Sequence, residues 1–398
     1  MKDRDLDPVY DENGVISRRA MLAALGVLAI GLPAGAFAQG AGQQGQGAQG
    51  RGGRGGGRGR GAPRDTTPLE MPFAPTGWKT VWLDRLEYQC TDYKKAAAFY
   101  ATLMGWKVRS DDGKQCLLDI GENSGGILIR GGLDVPPPPA ITDAGLGVQR
   151  PVISAVYDGF AWGIDPWDEK TVEAELKKRG LNPVADHHGD YRSFRFKDPD
   201  GFNVAVTNGT KANRRKGAAN GKLPAAAPFA PTKWNTLYLD HLSFETHNPR
   251  RSTAFYQALL GWTIDPNSGG GGNGQWTVLL GSAGGAIIRG NALSRAETAA
   301  ANAPDDSTAK ANLARAQAAA NRPGLAGAAI GHISWGIENW DNERVRQELK
   351  DRGVVYTNAQ GEKEPRPDMT GNLKSYHVPD AMNWDLQIGN KIGPTTYG

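Results

Sequence analysis

The sequence predicts an α+β fold of four β-α-β-β-β modules, arranged as two tandem copies. Three observations predict it. A long internal repeat runs in order through the chain, and a repeat of this kind sets the architecture. Within each copy, alternation of apolar and polar residues marks strands. Apolar residues at helical spacing follow, and a glycine stops the run.

The repeat is read from several matched segments. Phe73-Ala74-Pro75-Thr76-Gly77-Trp78 returns as Phe229-Ala230-Pro231-Thr232-Lys233-Trp234, 156 residues on. Ala98-Phe99-Tyr100 with Gly105-Trp106 returns at the same offset as Ala254-Phe255-Tyr256 with Gly261-Trp262. Trp162-Gly163-Ile164 matches Trp335-Gly336-Ile337 at an offset of 173, and Ser193 and Asn208 match Ser375 and Asn390 at 182. The second copy is therefore the first with two insertions.

In the first copy, Val81–Cys90 alternates as a strand, and Tyr93–Met104 is helical and ends at Gly105. Trp106–Arg109, Cys116–Ile120 and Gly126–Arg130 follow as strands. The plan then repeats: Val152–Ile164 is a strand and Glu169–Arg179 a helix stopped by Gly180. Pro183–Ala185, Tyr191–Phe196 and Phe202–Thr207 are strands. The copies span 73–208 and 229–390, with a linker at 209–228 rich in Lys, Arg, Ala, Gly and Pro. The larger insertion, 291–325, is Ala-rich and predicted helical, as a lid or, better, a packing prop. Trp78 and Trp234 are expected in the core.

The composition is that of a soluble globular protein with extra unstructured segments, 39% hydrophobic and 22% charged with 54 Gly and 25 Pro. The formal net charge of +4 lies in residues 39–65, where five arginines stand against one aspartate. The remaining body is near neutral, which argues against a nucleic-acid face. Cys90 and Cys116 are too few for a disulfide framework, and the sequence leaves open whether they pair.

Ser17-Arg18-Arg19 precedes a short apolar run, Ala23 to Leu32, and then Ala36-Phe37-Ala38. Paired arginines, a modest apolar core and a small-residue cleavage site resemble a bacterial twin-arginine signal over 1–38. The competing reading is a membrane anchor, but the run is shorter than the roughly 20 apolar residues a span needs. No stable span is expected after cleavage, and the expected location is periplasmic or otherwise exported. Residues 39–72 read as a Gly/Arg-rich flexible spacer.

Phe99-Tyr100 with Gly105-Trp106, and the closing run Phe196-Lys197-Asp198-Pro199-Asp200-Gly201-Phe202, resemble the vicinal oxygen chelate superfamily. That group includes glyoxalase I, antibiotic-resistance proteins and type I extradiol dioxygenases. The resemblance implies glyoxalase-like domains of paired βαβββ modules whose sheets form a cup. In metal-binding members a divalent ion sits on the concave side, held from the first and last strands of the modules.

Carried onto this sequence, those positions are His241, His332 and Gln387 in the second copy. The family has an acid where Gln387 stands, and Asp385, one pleat away, is the alternative donor. The residues agree in part: His241 and Ser243, His332 and Ser334, and Asp385 and Gln387 each share a strand face, opposite apolar neighbours. Two imidazoles plus an oxygen suit Fe, Mn, Ni or Zn. His377 on a neighbouring strand is a candidate acid or base, with a plain surface histidine as the other reading. His247, His187 and His188 read as solvent-exposed. The first copy places Arg85, Gly159 and Ala205 at the matching positions, so no metal is expected there.

The expected function is a metal-dependent lyase, isomerase or dioxygenase-like enzyme acting through the second copy on a small oxygen-chelating substrate. The alternatives are a non-catalytic protein that sequesters a small ligand and a purely structural exported protein.

Overall fold

The computed structural model describes residues 67–134, 153–214, 216–266, 275–320, 328–358, 361–369, 372–391 and 393. The expected signal, most of the spacer and the end of the Ala-rich insertion lie outside them. The fold is α+β, with two eight-stranded sheets, one from each copy.

The first copy supplies β1 (Lys79–Cys90), α1 (Tyr93–Met104), β2 (Lys107–Asp111), β3 (Gln115–Asp119) and β4 (Gly126–Arg130). Its second module supplies β5 (Ala155–Asp165), α2 (Glu169–Lys178), β6 (Val184–Ala185), β7 (Ser193–Lys197) and β8 (Asn203–Thr207). These strands lie in the order β2-β3-β4-β1-β5-β8-β7-β6. A one-turn helix, α3 (Lys211–Arg214), opens the linker.

The second copy repeats the plan. It has β9 (Thr236–Thr246), α4 (Pro249–Leu260), β10 (Thr263–Ile264), β11 (Gln275–Leu279) and β12 (Gly285–Gly290). Two helices then occupy the Ala-rich insertion, α5 (Ala292–Asn302) and α6 (Ser307–Ala320). They belong to a separate compact unit, in which the Asn291 side chain accepts from Ser294 N to cap α5. The last module has β13 (Ala329–Ile337), α7 (Asn342–Asp351), a small hairpin of β14 (Tyr356–Thr357) and β15 (Lys363–Glu364), then β16 (Arg366–Asp368), β17 (Ser375–Pro379) and β18 (Asp385–Gly389). The strand order is β10-β11-β12-β9-β13-β18-β17-β16, and the module-joining strands β9 and β13 are antiparallel. No helix among the described residues is long and apolar enough to cross a membrane.

Local chemistry explains why the elements start and stop where they do. Asp92, Asp168, Asn248 and Asp341 each accept a backbone N–H three residues on, capping α1, α2, α4 and α7. Gly105 and Gly261 close α1 and α4 with φ of 71° and 66°, where a side chain would be strained. They also let the copies approach: a Cβ on Gly105 would lie 2.5 Å from the Trp234 carbonyl, and one on Gly261 would lie 2.2 Å from that of Trp78.

The two sheets share one compact unit, and their contacts are reciprocal. Trp106 Nε1 donates to Thr236 Oγ1 at 2.9 Å, and Trp262 Nε1 donates to Thr80 Oγ1 at 3.0 Å. Tyr88 and Tyr100 donate from the first copy to Asp380 of the second, at 2.5 and 2.8 Å. Tyr256 donates in the other direction to Asp198, at 2.5 Å. Asp198 and Asp380 also accept two backbone N–H groups each in the turns before β8 and β18. The aspartates therefore fix their own turns and clasp the other copy. Around them lies one continuous aromatic core that contains Trp78 and Trp234. Cys90 and Cys116 are buried free thiols within it.

Candidate metal centre

The second sheet buries one apolar face, with Leu242, Phe244, Ile333, Trp335, Leu386 and Ile388 in the core. Residues of the opposite parity on the same strands face the other way. Pairing across the sheet sets His241 beside Ser334, Ser334 beside Gln387, and Gln387 beside His377. His332 pairs with Ser243. All four sequence-predicted donors, and His377 with them, thus meet on one face. His241, His332, His377 and Gln387 are buried, and Asp385 is mostly so.

His241 Nε2 lies 2.9 Å from His332 Nε2, with the rings nearly perpendicular. On its far side, His241 Nδ1 lies 2.7 Å from Asp240 Oδ2. Strict alternation would send Asp240 to the opposite face from His241. A register shift resolves this: Ser334 pairs with His241 while Trp335 pairs with Leu239, leaving Asp240 as the extra residue. Such a bulge re-aims side chains locally, and here it brings a carboxylate to the neighbouring imidazole. A second shift, between Ile330 and His332, leaves Gly331 as the extra residue beside the other histidine.

His377 is not the surface histidine that was one reading of the sequence. It is buried, and its Nδ1 lies 3.1 Å from both oxygens of Asp385. Its ring centroid is 4.9 Å from that of His332. Asp385 also accepts from Tyr356 Oη at 3.1 Å and from Arg366 at 2.9 Å. Ligand atoms of His332, His377 and Asp385 all lie within 4.8 Å of one another.

Gln387 is oriented by its hydrogen bonds. Ser375 Oγ donates its single proton to the Asp368 carbonyl at 3.2 Å. It can therefore only accept from Gln387, whose Nε2 lies 2.8 Å away. The amide oxygen then points elsewhere, and it is buried without a hydrogen-bond partner among the described residues. An orphaned buried acceptor is costly. On the face that carries the imidazoles it is one of several buried polar atoms without a hydrogen-bond partner among the described residues, and it is an oxygen that a cation could use.

Electrostatics favour neutral imidazole at His332. Burial lowers its pKa well below the ordinary value, and His241, His377, Arg289 and Arg366 lower it further. For Asp385, burial pushes the pKa up, but His377, Arg366 and Tyr356 more than offset this and hold it below the ordinary value. Burial acts the same way on Asp240, and its pairing with His241 and Lys391 again wins. Two anionic carboxylates therefore stand behind the imidazoles. A cation ligand must be deprotonated to bind, and the residues present fit a divalent ion.

The other histidines lie elsewhere. His247 and His188 are exposed. His187 is half-buried rather than solvated: it accepts from Ser193 N at 3.2 Å and packs edge-on against Phe194. Asp240 was missed in the sequence because it sits at the wrong parity for the site face; only the bulge reveals it.

No family model matches the chain, and no curated protein matches it. Solved structures do. The Mn(II)-bound glyoxalase from Novosphingobium aromaticivorans is 14% identical with a TM-score of 0.48, covering 78% of this chain and 82% of that one. The homoprotocatechuate 2,3-dioxygenase from Brevibacterium fuscum, in complex with 3,4-dihydroxyphenylacetate, is 15% identical with a TM-score of 0.49, covering 81% and 84%. The homoprotocatechuate 2,3-dioxygenase from Arthrobacter globiformis is 15% identical with a TM-score of 0.47, covering 81% and 82%.

Proposed function

We propose that this protein is an exported, metal-dependent enzyme of the vicinal oxygen chelate type, acting on a small oxygen-chelating substrate at the second sheet. The observation that carries the reading is the meeting of His241 Nε2, His332 Nε2 and the orphaned Gln387 Oε1 on one buried face. The histidine nitrogens are 2.9 Å apart, the length of an N–H···N hydrogen bond, and two nitrogens bound to one ion at about 2.1 Å lie roughly 3 to 3.4 Å apart, so a small opening of the pair would admit a cation. The repeat motifs and the paired βαβββ sheets support the same family.

His241 and His332 would hold the cation, with Gln387 contributing oxygen. The chemistry supplied by a bound divalent cation is Lewis-acid polarisation of neighbouring substrate oxygens. The chain's own residues do the rest. Asp240 fixes the His241 ring so that Nε2 faces inward. Ser375 fixes the Gln387 amide. The test is metal content: full-length protein purified from cells should carry close to one equivalent of a transition metal, and an H241A/H332A variant should carry none. Equal, negligible metal in both would sink the reading.

A further inference from the structure

Two imidazoles and a neutral amide oxygen are a sparse set for a divalent cation, and a third imidazole, His377, stands next to one of them, with its ring centroid 4.9 Å from that of His332. His377 pairs directly with Gln387 across β17 and β18. Its Nδ1 is engaged by Asp385, so the nitrogen left for a ligand is Nε2. This repeats the arrangement at His241, where Asp240 holds Nδ1 and Nε2 faces His332. A carboxylate on the far nitrogen is the usual support of a ligating histidine, because it fixes the tautomer and raises the basicity of the other nitrogen.

The carboxylates themselves are committed. Asp385 accepts from Tyr356 on Oδ1 and from Arg366 on Oδ2, besides His377. Asp240 Oδ1 lies 3.4 Å from Lys391 Nζ. Both oxygens of Asp385 are thus held by donors that a cation would have to displace, while Asp240 is held through Oδ2 by the His241 ring. At His332 the Nδ1 instead faces Arg289 at 3.5 Å, and its ring packs against those of both His241 and His377.

We infer that His241, His332 and His377 form a three-imidazole site for one divalent cation, with Gln387 Oε1 as a further donor and Asp240 and Asp385 as outer carboxylates. The inference rests on the metal reading above and specifies its ligand set. It assigns His377 to the cation rather than to free acid–base work, and it removes Asp385 from the inner set.

The experiment is X-ray absorption at the zinc edge on full-length protein loaded with one equivalent of Zn(II), alongside Zn(II) affinity by competition with a chromogenic chelator. Wild type should show three imidazoles. H377Q should show two and bind Zn(II) more weakly than D385N does. D385N should keep three imidazoles and lose roughly 10–100-fold in affinity, the usual cost of an outer partner. Two imidazoles in wild type, unchanged in H377Q, would overturn the inference and leave the metal reading standing. An oxygen scatterer lost in D385N would overturn it too, by placing Asp385 in the inner set. Wild type that binds no Zn(II), or binds it no better than H332A, would overturn the metal reading itself. The wild-type imidazole count needs no variant, so a misfolded H377Q cannot decide the matter.

Discussion

The same face of the same fold is finished in two different ways in this chain. In the second sheet it carries His241, Ser243, His332, His377 and Gln387. In the first sheet the matching positions are Arg85, Glu87, Gly159, Arg195 and Ala205. There Glu87 pairs with Arg85 and Arg130 at 3.0 Å and with Arg195 at 3.1 Å. Asp158 closes on Arg130, and Asp186 on Arg195. Burial alone would push the Glu87 carboxyl up; the three guanidiniums more than offset this and hold it at about 2. The first face ties its charges into a mesh of ion pairs, whereas the second presents facing imidazoles. Nor could the first face take a histidine at the position of His332: a Cβ on Gly159 would lie 2.8 Å from the Asn203 carbonyl. The bulge acids differ in the same sense. Asp240 supports His241, while its counterpart Asp84 is held by Arg214 and Tyr191.

The widest break between the faces should come from His332. An H332A variant should fall from one metal equivalent to background with its fold intact by circular dichroism, whereas A205Q in the first copy should gain no metal. Elemental analysis of both reads this directly, and metal retained by H332A would erase the contrast. Next in size is the charge network. Removing one member of a buried ion cluster strands the others, at a cost of about 3–5 kcal/mol. R85A should therefore lower the unfolding free energy by that order, measured in urea, and leave metal content unchanged. A metal loss in R85A would mean that the first face is not independent of the second.

The clasp offers a smaller and more graded test. A hydrogen bond to a charged partner contributes roughly 1.5–3 kcal/mol. Y256F removes one tyrosine donor from Asp198, while Y88F/Y100F removes two from Asp380. The double variant should cost more, and equal melting shifts would show that the second tyrosine at Asp380 adds nothing to the clasp.

The finest distinction is in acid. The folded-state pKa of His332 lies below its unfolded value, so the unfolded chain binds a proton that the folded chain does not. Stability is present above about pH 6.5 and falls as pH drops below it. In the first face, Glu87 keeps its contribution down to 4.5 and loses it only towards about 2. Asp158 there is pushed up to about 6 by burial, against the pull of Arg130, so the folded state gains its proton first and the face is favoured as pH falls from about 6 to 3.8. In chelator-stripped protein at pH 5.5, amide protection corrected for the intrinsic rate should fall in 329–337 before 79–90. A simultaneous fall would remove the difference.

How much of this was legible beforehand follows from the range of each signal. The strands and helices could be read because alternation, caps and stop glycines are local: Asp92 and Gly105 bracket α1 as Asn248 and Gly261 bracket α4. The meeting of His241 and His332 could be anticipated because the resemblance to the vicinal oxygen chelate superfamily implies ligands on the first strand of each module. His377 could not be assigned a side, since one histidine on a short strand has no internal reference for register. Asp240 was out of reach for a different reason: a bulge breaks the period on which the parity argument rests. The charge network of the first face was equally hidden, because Arg85, Arg130, Asp158 and Arg195 come from four strands and only pairing brings them together.

The crossing tyrosines have a consequence for how this chain can be taken apart. Each copy holds the other's turn aspartate, and the tryptophans of each end against a threonine of its neighbour. The molecule is in that sense a tethered dimer whose tether is incidental to its cohesion. Cut in the linker, the two pieces should remain associated and behave as a split protein, with one fragment carrying the histidines and the other serving as its obligatory mould.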